Sequence, residues 1–530
     1  MFLDRASGPI LVLLVSFAEP AAAQWTSAAS IDGTGGLTPH WTGTPSISGD
    51  GRFVVFYADG PLLPADANAV RDVYLHDRVL RQTELVSVSL SGAAGNKGSF
   101  EGVVSADGRY VAFESDAKNL VAGDTNGVRD VFVRDRETAT TTRVSVATGG
   151  GQANGGSFEP AISGDGRYVT FSSFADNLVP GDTNAVGDVF VHDRVTGKTK
   201  RVSLRTGGAQ AQGGDSETSS ISLDGRFVAF ASRATNLAAQ DTNGSPDVFL
   251  RDLVLDTTAL VSHTPGGKVG NGISGWPTVS ADGSTVVYQT IASDVLANDT
   301  NGRFDVVAHD VAAGTNTLVS RTSSGTPSDG HSYVIGVRQS VSANGRYVAF
   351  ASKGTNLVAT DGNGAGEDVF RHDRWFGTTK QVSISSAGAT SNGACLSAAI
   401  SADALHVAFQ TSATNLAPPD TNGTTDIAVH SPWLNLSAAA TELTPGQLLS
   451  LTTWRGTPGA TLLYGISSIE GSPLFVSLSA GKFGPLETST LLAPVPSLSG
   501  LSGLAIGFRA AAQLPDGTVG YTKEVVVTFH

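Results

Sequence analysis

The stretch Ser105-Ala-Asp-Gly-Arg-Tyr-Val-Ala-Phe113 decides the fold, because it occurs seven times along the chain. Copies lie at residues 48–56, 163–171, 222–230, 280–288, 342–350 and 401–409. The turn residue stands at Asp50, Asp107, Asp165, Asp224, Asp282, Asn344 and Asp403, so successive copies are 57, 58, 59, 58, 62 and 59 residues apart. A period of this size marks an array of identical supersecondary units.

Within one copy the Asp-Gly pair signals a tight turn, and the alternation after it reads as a half-buried strand. A short strand at 159–163 precedes the turn, a third reads as Asp130-Val-Phe-Val-Arg-Asp135, and a fourth spans 142–146. Four strands repeated seven times without helical periodicity predict an all-β, seven-bladed propeller, with a solenoid as the competing array. The seventh copy meets Ser431-Pro432 without a fourth strand, whereas residues 25–31 carry the pattern of the missing one. The N-terminal segment is therefore expected to complete the last blade, leaving no open edge.

Outside the array, residues 1–23 have the charged start, the apolar run from Pro9 to Ala18 and the small-residue stretch Ala21-Ala22-Ala23 of a secretory signal. The expected division is signal peptide 1–23, propeller 24–432 and a small C-terminal β-sandwich 433–530, where short strands alternate with Gly and Pro turns. Export to the periplasm or medium follows, with no membrane span, since the apolar run falls short of ~20 residues. Cys395 is the only cysteine, so no intramolecular disulfide can staple the fold. Its apolar context predicts a buried small hydrophobe.

Charged residues make up 15% of the chain and glycines number 63, which suits Gly-rich turns between many short strands. A net charge of −14 argues against a nucleic-acid partner, which needs clustered Lys and Arg. Cations, glycans and proteins are the partners this composition favours, and a monomer is expected.

The nine-residue motif, followed by Asp-Val-Phe-Val-x-Asp-Arg, resembles the TolB-type, WD40-like (PD40) propeller repeat over roughly residues 25–430. That resemblance implies the propeller fold. It implies no activity, and the separate N-terminal α/β domain of TolB has no counterpart here.

The most regular polar feature joins strands two and three. It supplies Asp66, Asn68 and Asp72; Asp124, Asn126 and Asp130; Asp182, Asn184 and Asp188; Asp241, Asn243 and Asp247; Asp299, Asn301 and Asp305; Asp361, Asn363 and Asp368; and Asp420, Asn422 and Asp426. Oxygen donors at positions 1, 3 and 7 of a Gly-containing loop suit calcium. Position 12 is an Asp in several copies, such as Asp135 and Asp193, but the full EF-hand pattern is not met. The competing reading is turn chemistry, with Asp and Asn bonding the backbone and Gly supplying positive φ.

A basic residue recurs in strand three as His76, Arg134, His192, Arg251, His309, His372 and His430, and one per blade argues for pairing between strands. The turn arginines Arg52, Arg109, Arg167, Arg226 and Arg346 read as strand-edge ion pairs, with Ser284 and His406 standing in for two of them.

No nucleophile elbow, zinc motif or phosphate loop occurs, and no organic cofactor is expected. Departures from the repeat are better candidates for recognition: Trp276 in 271–277, and His331, Tyr333 and Arg338 in the lengthened linker, both read as loops between strands four and one. The leading expectation is a non-catalytic scaffold, with calcium as its candidate stabilising ion, that binds a protein or glycan on its long-loop face. A polysaccharide lyase or hydrolase and a surface-attached structural protein are the alternatives.

Overall fold

The computed structural model describes residues 24–432 except 240, 242, 298, 300, 335–338 and 418–419, and beyond them the backbone of the C-terminal strands. The expected signal segment, residues 1–23, lies outside the described residues. Two compact units divide the chain, Met1–Ser431 and Pro432–His530. In the second, strands between Leu436 and Phe529 form a three-stranded sheet and a second, larger sheet.

The first unit is a seven-bladed β-propeller of four-stranded antiparallel blades, and every described element in it is a strand. Blade 2 shows the plan: Ser99–Val104 innermost, then Tyr110–Ser115, Asp130–Asp135 and Thr140–Arg143 outermost. Blade 7 is built from Cys395–Ile400, Val407–Thr411 and Asp426–Pro432, and its outer strand is the N-terminal Gln24–Ala28.

Apolar residues on the two faces of each blade pack into the seams between blades. Seven buried clusters result, one per seam; Ala112, Val131 and Val133 of blade 2 meet Val169, Phe171 and Phe190 of blade 3. Each fully buried Val or Phe among them contributes roughly 1.5–3 kcal/mol. In five of the blades the second and third strands set an aromatic pair side by side, such as Phe113 and Phe132 at 5.9 Å or Phe230 and Phe249 at 5.7 Å, whereas blades 5 and 7 pair Tyr288 with Val307 and Phe409 with Ala428.

The repeated turn explains its own sequence. Ser105 Oγ donates to Asp107 Oδ1 and accepts the Tyr110 N–H, while Asp107 Oδ1 also accepts the Arg109 N–H. Gly108 has φ of 77°, and a Cβ there would lie 2.0 Å from the Phe53 ring of the preceding blade. Arg109 then reaches Asp135 at the far end of strand three, 2.8 Å away. Asp135 and Asp193, which fall at position 12 counted from the loop, sit at the opposite end of the strand from the Asp-x-Asn donors and pair with Arg109 and Arg167. In blade 7, Leu405 takes the arginine position and His406 the aromatic one, so His406 does not replace an arginine.

The residue before each turn aspartate closes the channel. Gly49 N–H donates to Ala106 O, Ala106 to Gly164, Gly164 to Leu223, Leu223 to Ala281, Ala281 to Ala343 and Ala343 to Ala402, and Asp403 N–H returns to Gly49 O at 3.3 Å. Glycine or alanine at six of these seven positions, with Leu223 as the exception, lets the seven backbones meet at this end. The loops between strands two and three and between strands four and one emerge at the other end.

The basic residues of strand three link the blades. His76 Nδ1 lies 3.0 Å from Thr83 Oγ1, which donates to Ile31 O of the neighbouring blade, and His192 with Thr199 and Val146 repeats the arrangement. Burial holds the His76 and His372 imidazoles down at about 4.

Candidate functional site

The Asp-x-Asn loops lie at the end of the propeller opposite the Asp-Gly turns. The aspartates that end these loops, Asp72, Asp130, Asp188, Asp247, Asp305, Asp368 and Asp426, begin strand three and are buried. Each accepts a serine hydroxyl: Ser87, Ser145, Ser203, Ser262, Ser320, Ser383 and, from the N-terminal segment, Ser30. Asn68, Asn126, Asn184, Asn243, Asn301 and Asn422 donate Nδ2–H to the aspartate of their own loop. In blade 6, with its extra residue, Asn363 donates to Gly393 O.

Outside blade 6, where Asn363 Oδ1 takes no such bond, the asparagine oxygens accept a backbone N–H two residues on, as Asn68 does from Val70 and Asn422 from Thr424. The first-position Asp66, Asp299, Asp361 and Asp420 accept the N–H of their asparagine in the same way. These bonds are turn chemistry. Burial pushes Asp72 and Asp247 up to about 7, and Asp305, Asp368 and Asp426 to about 6. Among the described residues no group of three or more His, Cys, Asp or Glu is placed to hold a metal.

Trp276, read as a loop residue, lies inside the innermost strand Ser274–Val279 of blade 5 and packs against the seam cluster of Val334, Val341 and Phe350. Its backbone is the reason for the difference. The innermost strands begin about two residues earlier than the sequence suggests, because a β-bulge lets pairing continue through an extra residue. The bulge places Thr44, Glu101, Glu159, Thr218, Trp276 and Ser397 at the same repeat position with φ between 23° and 55°. Non-glycine residues at positive φ cost roughly 1 kcal/mol or more, and such strain collects at functional sites.

His331 and Tyr333 lie at the matching edge of blade 6. Their rings are 6.1 Å apart and both approach Phe304, whose N–H donates to His331 Nδ1 at 3.0 Å. Arg338 lies outside the described residues. Cys395 is fully buried, with its thiol pushed up to about 12 by burial, which suits a core residue.

A larger constellation on the same face spans blades 1 to 3. Trp41 and Tyr57 are 5.6 Å apart, and the Arg71 guanidinium lies 4.5 Å from the Tyr57 ring and 5.3 Å from Phe100. Arg129 continues the row, 3.9 Å over Phe100 and 5.6 Å from Phe158, and Phe158 meets Phe174 at 6.1 Å. Cation and ring alternate across three blades, each contact contributing about 0.5–1 kcal/mol where exposed. Asp59 holds Arg71, while Asp116 and the buried Glu114 hold Arg129.

Glu114 carries the network inward. Its second oxygen accepts the Glu159 N–H at 2.7 Å, and Glu159 Oε2 accepts the Thr218 N–H of blade 4 at 2.8 Å. The rim thus joins three blades at the strained bulge. Trp41 is 38% exposed and Phe174 61%, so the row ends in two rings open to solvent.

Sequence reading missed this row, although a signal exists. Ser99-Phe100-Glu101 and Ser157-Phe158-Glu159 repeat in adjacent blades only, and Arg71 and Arg129 precede the strand-three aspartate only in blades 1 and 2.

No family model matches the chain, and no curated protein does. Solved structures of propeller proteins resemble the chain at low identity. A TolB from Agrobacterium tumefaciens, described as putative, has 16% identity over 53% of this chain and 81% of that one, with a TM-score of 0.34. A periplasmic gluconolactonase of Pseudomonas aeruginosa has 16% identity over 66% and 89%, with a TM-score of 0.30. A prolyl endopeptidase has 14% identity over 79% and 55%, with a TM-score of 0.44. At these values the likenesses carry no inference about activity, and the propeller rests on the strand pairing described above.

Proposed function

We propose that this protein is an exported, non-catalytic binding propeller that holds a glycan on its long-loop face, over blades 1 to 3. One observation carries the reading: the row Trp41, Tyr57, Arg71, Phe100, Arg129, Phe158 and Phe174 breaks sevenfold equivalence and ends in exposed rings. Flat rings accept the C–H faces of sugars. The paired carboxylates Asp59 and Asp116 neutralise the arginines and offer acceptors to sugar hydroxyls, which favours a neutral polyol over an anion. Among the described residues no helix is long and apolar enough to cross a membrane.

Binding of the mature protein to a glycan array tests the proposal. Trp41→Ala and Phe174→Ala should each weaken capture of the best glycan about tenfold, or ~1.4 kcal/mol, with melting temperature nearly unchanged. Full binding by both variants would remove the site from this row. Capture of a protein with no glycan bound would replace the ligand class, and turnover of the glycan would replace the scaffold reading by the lyase or hydrolase one.

A further inference from the structure

We infer that the long-loop face carries a second sugar platform where blades 5 and 6 meet, built on Phe304, His331 and Tyr333, and that it takes a carboxylated residue of the glycan whose neutral residues lie on blades 1 to 3. The ligand class rests on the glycan reading above; the place rests on the repeat.

Equivalent positions are used twice. Tyr333 follows Ser332 on the innermost strand as Phe100 follows Ser99, and those serines pair with Ser352 and Ser115 of strand two. Ser332 N–H donates to Phe304 O at 2.8 Å, as Ser99 N–H does to Arg71 O. Phe304 of blade 5 therefore stands where Arg71 stands in blade 1. Its ring meets Tyr333 of the next blade at 6.2 Å, as Arg71 meets Phe100 at 5.3 Å. His331 takes the position of Trp41, one residue before the innermost strand, and stacks on Tyr333 at 6.1 Å with 16° between the rings.

The charges, however, are reversed. In blade 2, Asp116 follows strand two and pairs with Arg129, which precedes strand three. In blade 6 those positions hold Lys353 and Glu367, 3.1 Å apart. Arg303, exposed and next to Phe304, pairs with no carboxylate among the described residues. This edge thus sets two cations against one carboxylate, whereas Arg71 and Arg129 face Asp59, Asp116 and Glu114. Complementarity favours an anionic group here and a neutral one there.

His331 adds a fixed donor. Phe304 N–H donates to its Nδ1 at 3.0 Å, so the neutral imidazole carries its proton on Nε2. Burial, and then the charges of Arg303 and Lys353, lowers the imidazole and keeps it neutral. Lys353 N–H donates to His331 O at 2.9 Å, which seats the lysine beside the rings. Half-buried rings offer a flat surface to sugar C–H groups, and the cations beside them suit a carboxylate.

Calorimetry of the mature full chain with oligosaccharides of alternating glucose and glucuronic acid, and with the same oligomers after carboxyl reduction, tests the assignment. The acidic oligomer should bind about tenfold more tightly at low salt, and the gain should shrink at high salt. Arg303→Gln should remove that gain and leave the reduced oligomer unaffected, and Arg303→Lys should restore much of it. Tyr333→Ala should weaken both oligomers, while Trp41→Ala should weaken both and preserve their ratio. Equal affinity for the two oligomers, or a gain that survives Arg303→Gln, would overturn this platform and leave the blade 1–3 row standing. Failure of both oligomers where a neutral glycan binds would do the same, whereas failure of every glycan would overturn both readings. Should Tyr333→Ala lower the melting temperature, the exposed change Arg303→Gln decides.

Discussion

His372 shows what one repeated residue does at the scale of a side chain. Its Nδ1 lies 2.9 Å from Thr379 Oγ1, whose hydroxyl donates to Arg321 O of the blade before it. The threonine proton is spent on that carbonyl, so the neutral imidazole must donate from Nδ1. Burial, reinforced by Arg321, lowers the imidazole from 6.5 to about 4. The unfolded chain therefore binds a proton near pH 6.5 that the folded chain refuses until about pH 4. Stability from this group is fully present above pH 6.5 and is lost as pH falls toward 4. His372→Gln should melt lower than wild type at pH 8, and its melting temperature should fall less between pH 7 and pH 5; an identical pH slope would refute the assignment. Trp276 makes a different point. The sequence reads it as a loop residue, whereas it lies in the innermost strand and packs against the blade 5–6 seam. Trp276→Ala should cost about 2–3 kcal/mol in stability by the usual cavity effect, read by denaturant unfolding.

At the scale of the strand, the repeat made the second and third strands and the turn between them legible, because Asp-Gly and an alternating apolar run are local signals. Residues 110–115 and 130–135 lie where the alternation puts them. The innermost strand was less legible. Its bulge inserts a residue at Glu159 and breaks the period of two on which the reading depends, so Ser157 and Phe158 were assigned to the loop. The consequence for function is direct, since Phe100 and Phe158 occupy that hidden stretch and the Arg–aromatic row runs through them. Arg71 and Arg129 are hidden in the sequence for a related reason: they depart from the repeat beside its most regular loop, and only the packing of neighbouring blades brings each over a ring. The turn itself yields a further expectation. Gly108→Ala would force an alanine into φ of 77° and set its Cβ 2.0 Å from Phe53 Cδ2. Strain and overpacking together should lower stability by about 2–4 kcal/mol, measured by urea unfolding, and a loss under about 1 kcal/mol would mean that the seam between blades 1 and 2 yields easily.

At the scale of the whole molecule, seven blades hold because the ring has no end. The chain would have one at blade 7, whose three strands from the C-terminal side leave Asp426–Pro432 unpaired on its outer edge. The N-terminal strand Gln24–Ala28 covers that edge. Ala29 N–H donates to Ile427 O at 2.7 Å, Ser30 Oγ donates to Asp426 and accepts the Ile427 N–H, and Thr26 Oγ1 donates to Ile384 O of blade 6. One segment therefore pairs with blade 7 and also ties it to blade 6. Thr38 O adds a bond from Asn422, closing the seam toward blade 1. These contacts span nearly 400 residues of sequence, and forming them orders the whole array at once, so their loss should be felt far from the deleted segment. Removing residues 24–36 should lower the melting temperature and broaden the transition, since blade 7 loses its outer strand, and blade 1 and blade 6 each lose a partner. A synthetic peptide of residues 24–36 added in excess should restore part of both, because it offers the same hydrogen bonds without the covalent link. Unchanged melting of the truncated chain would show that the ring closes through its apolar seams and backbone channel ring alone.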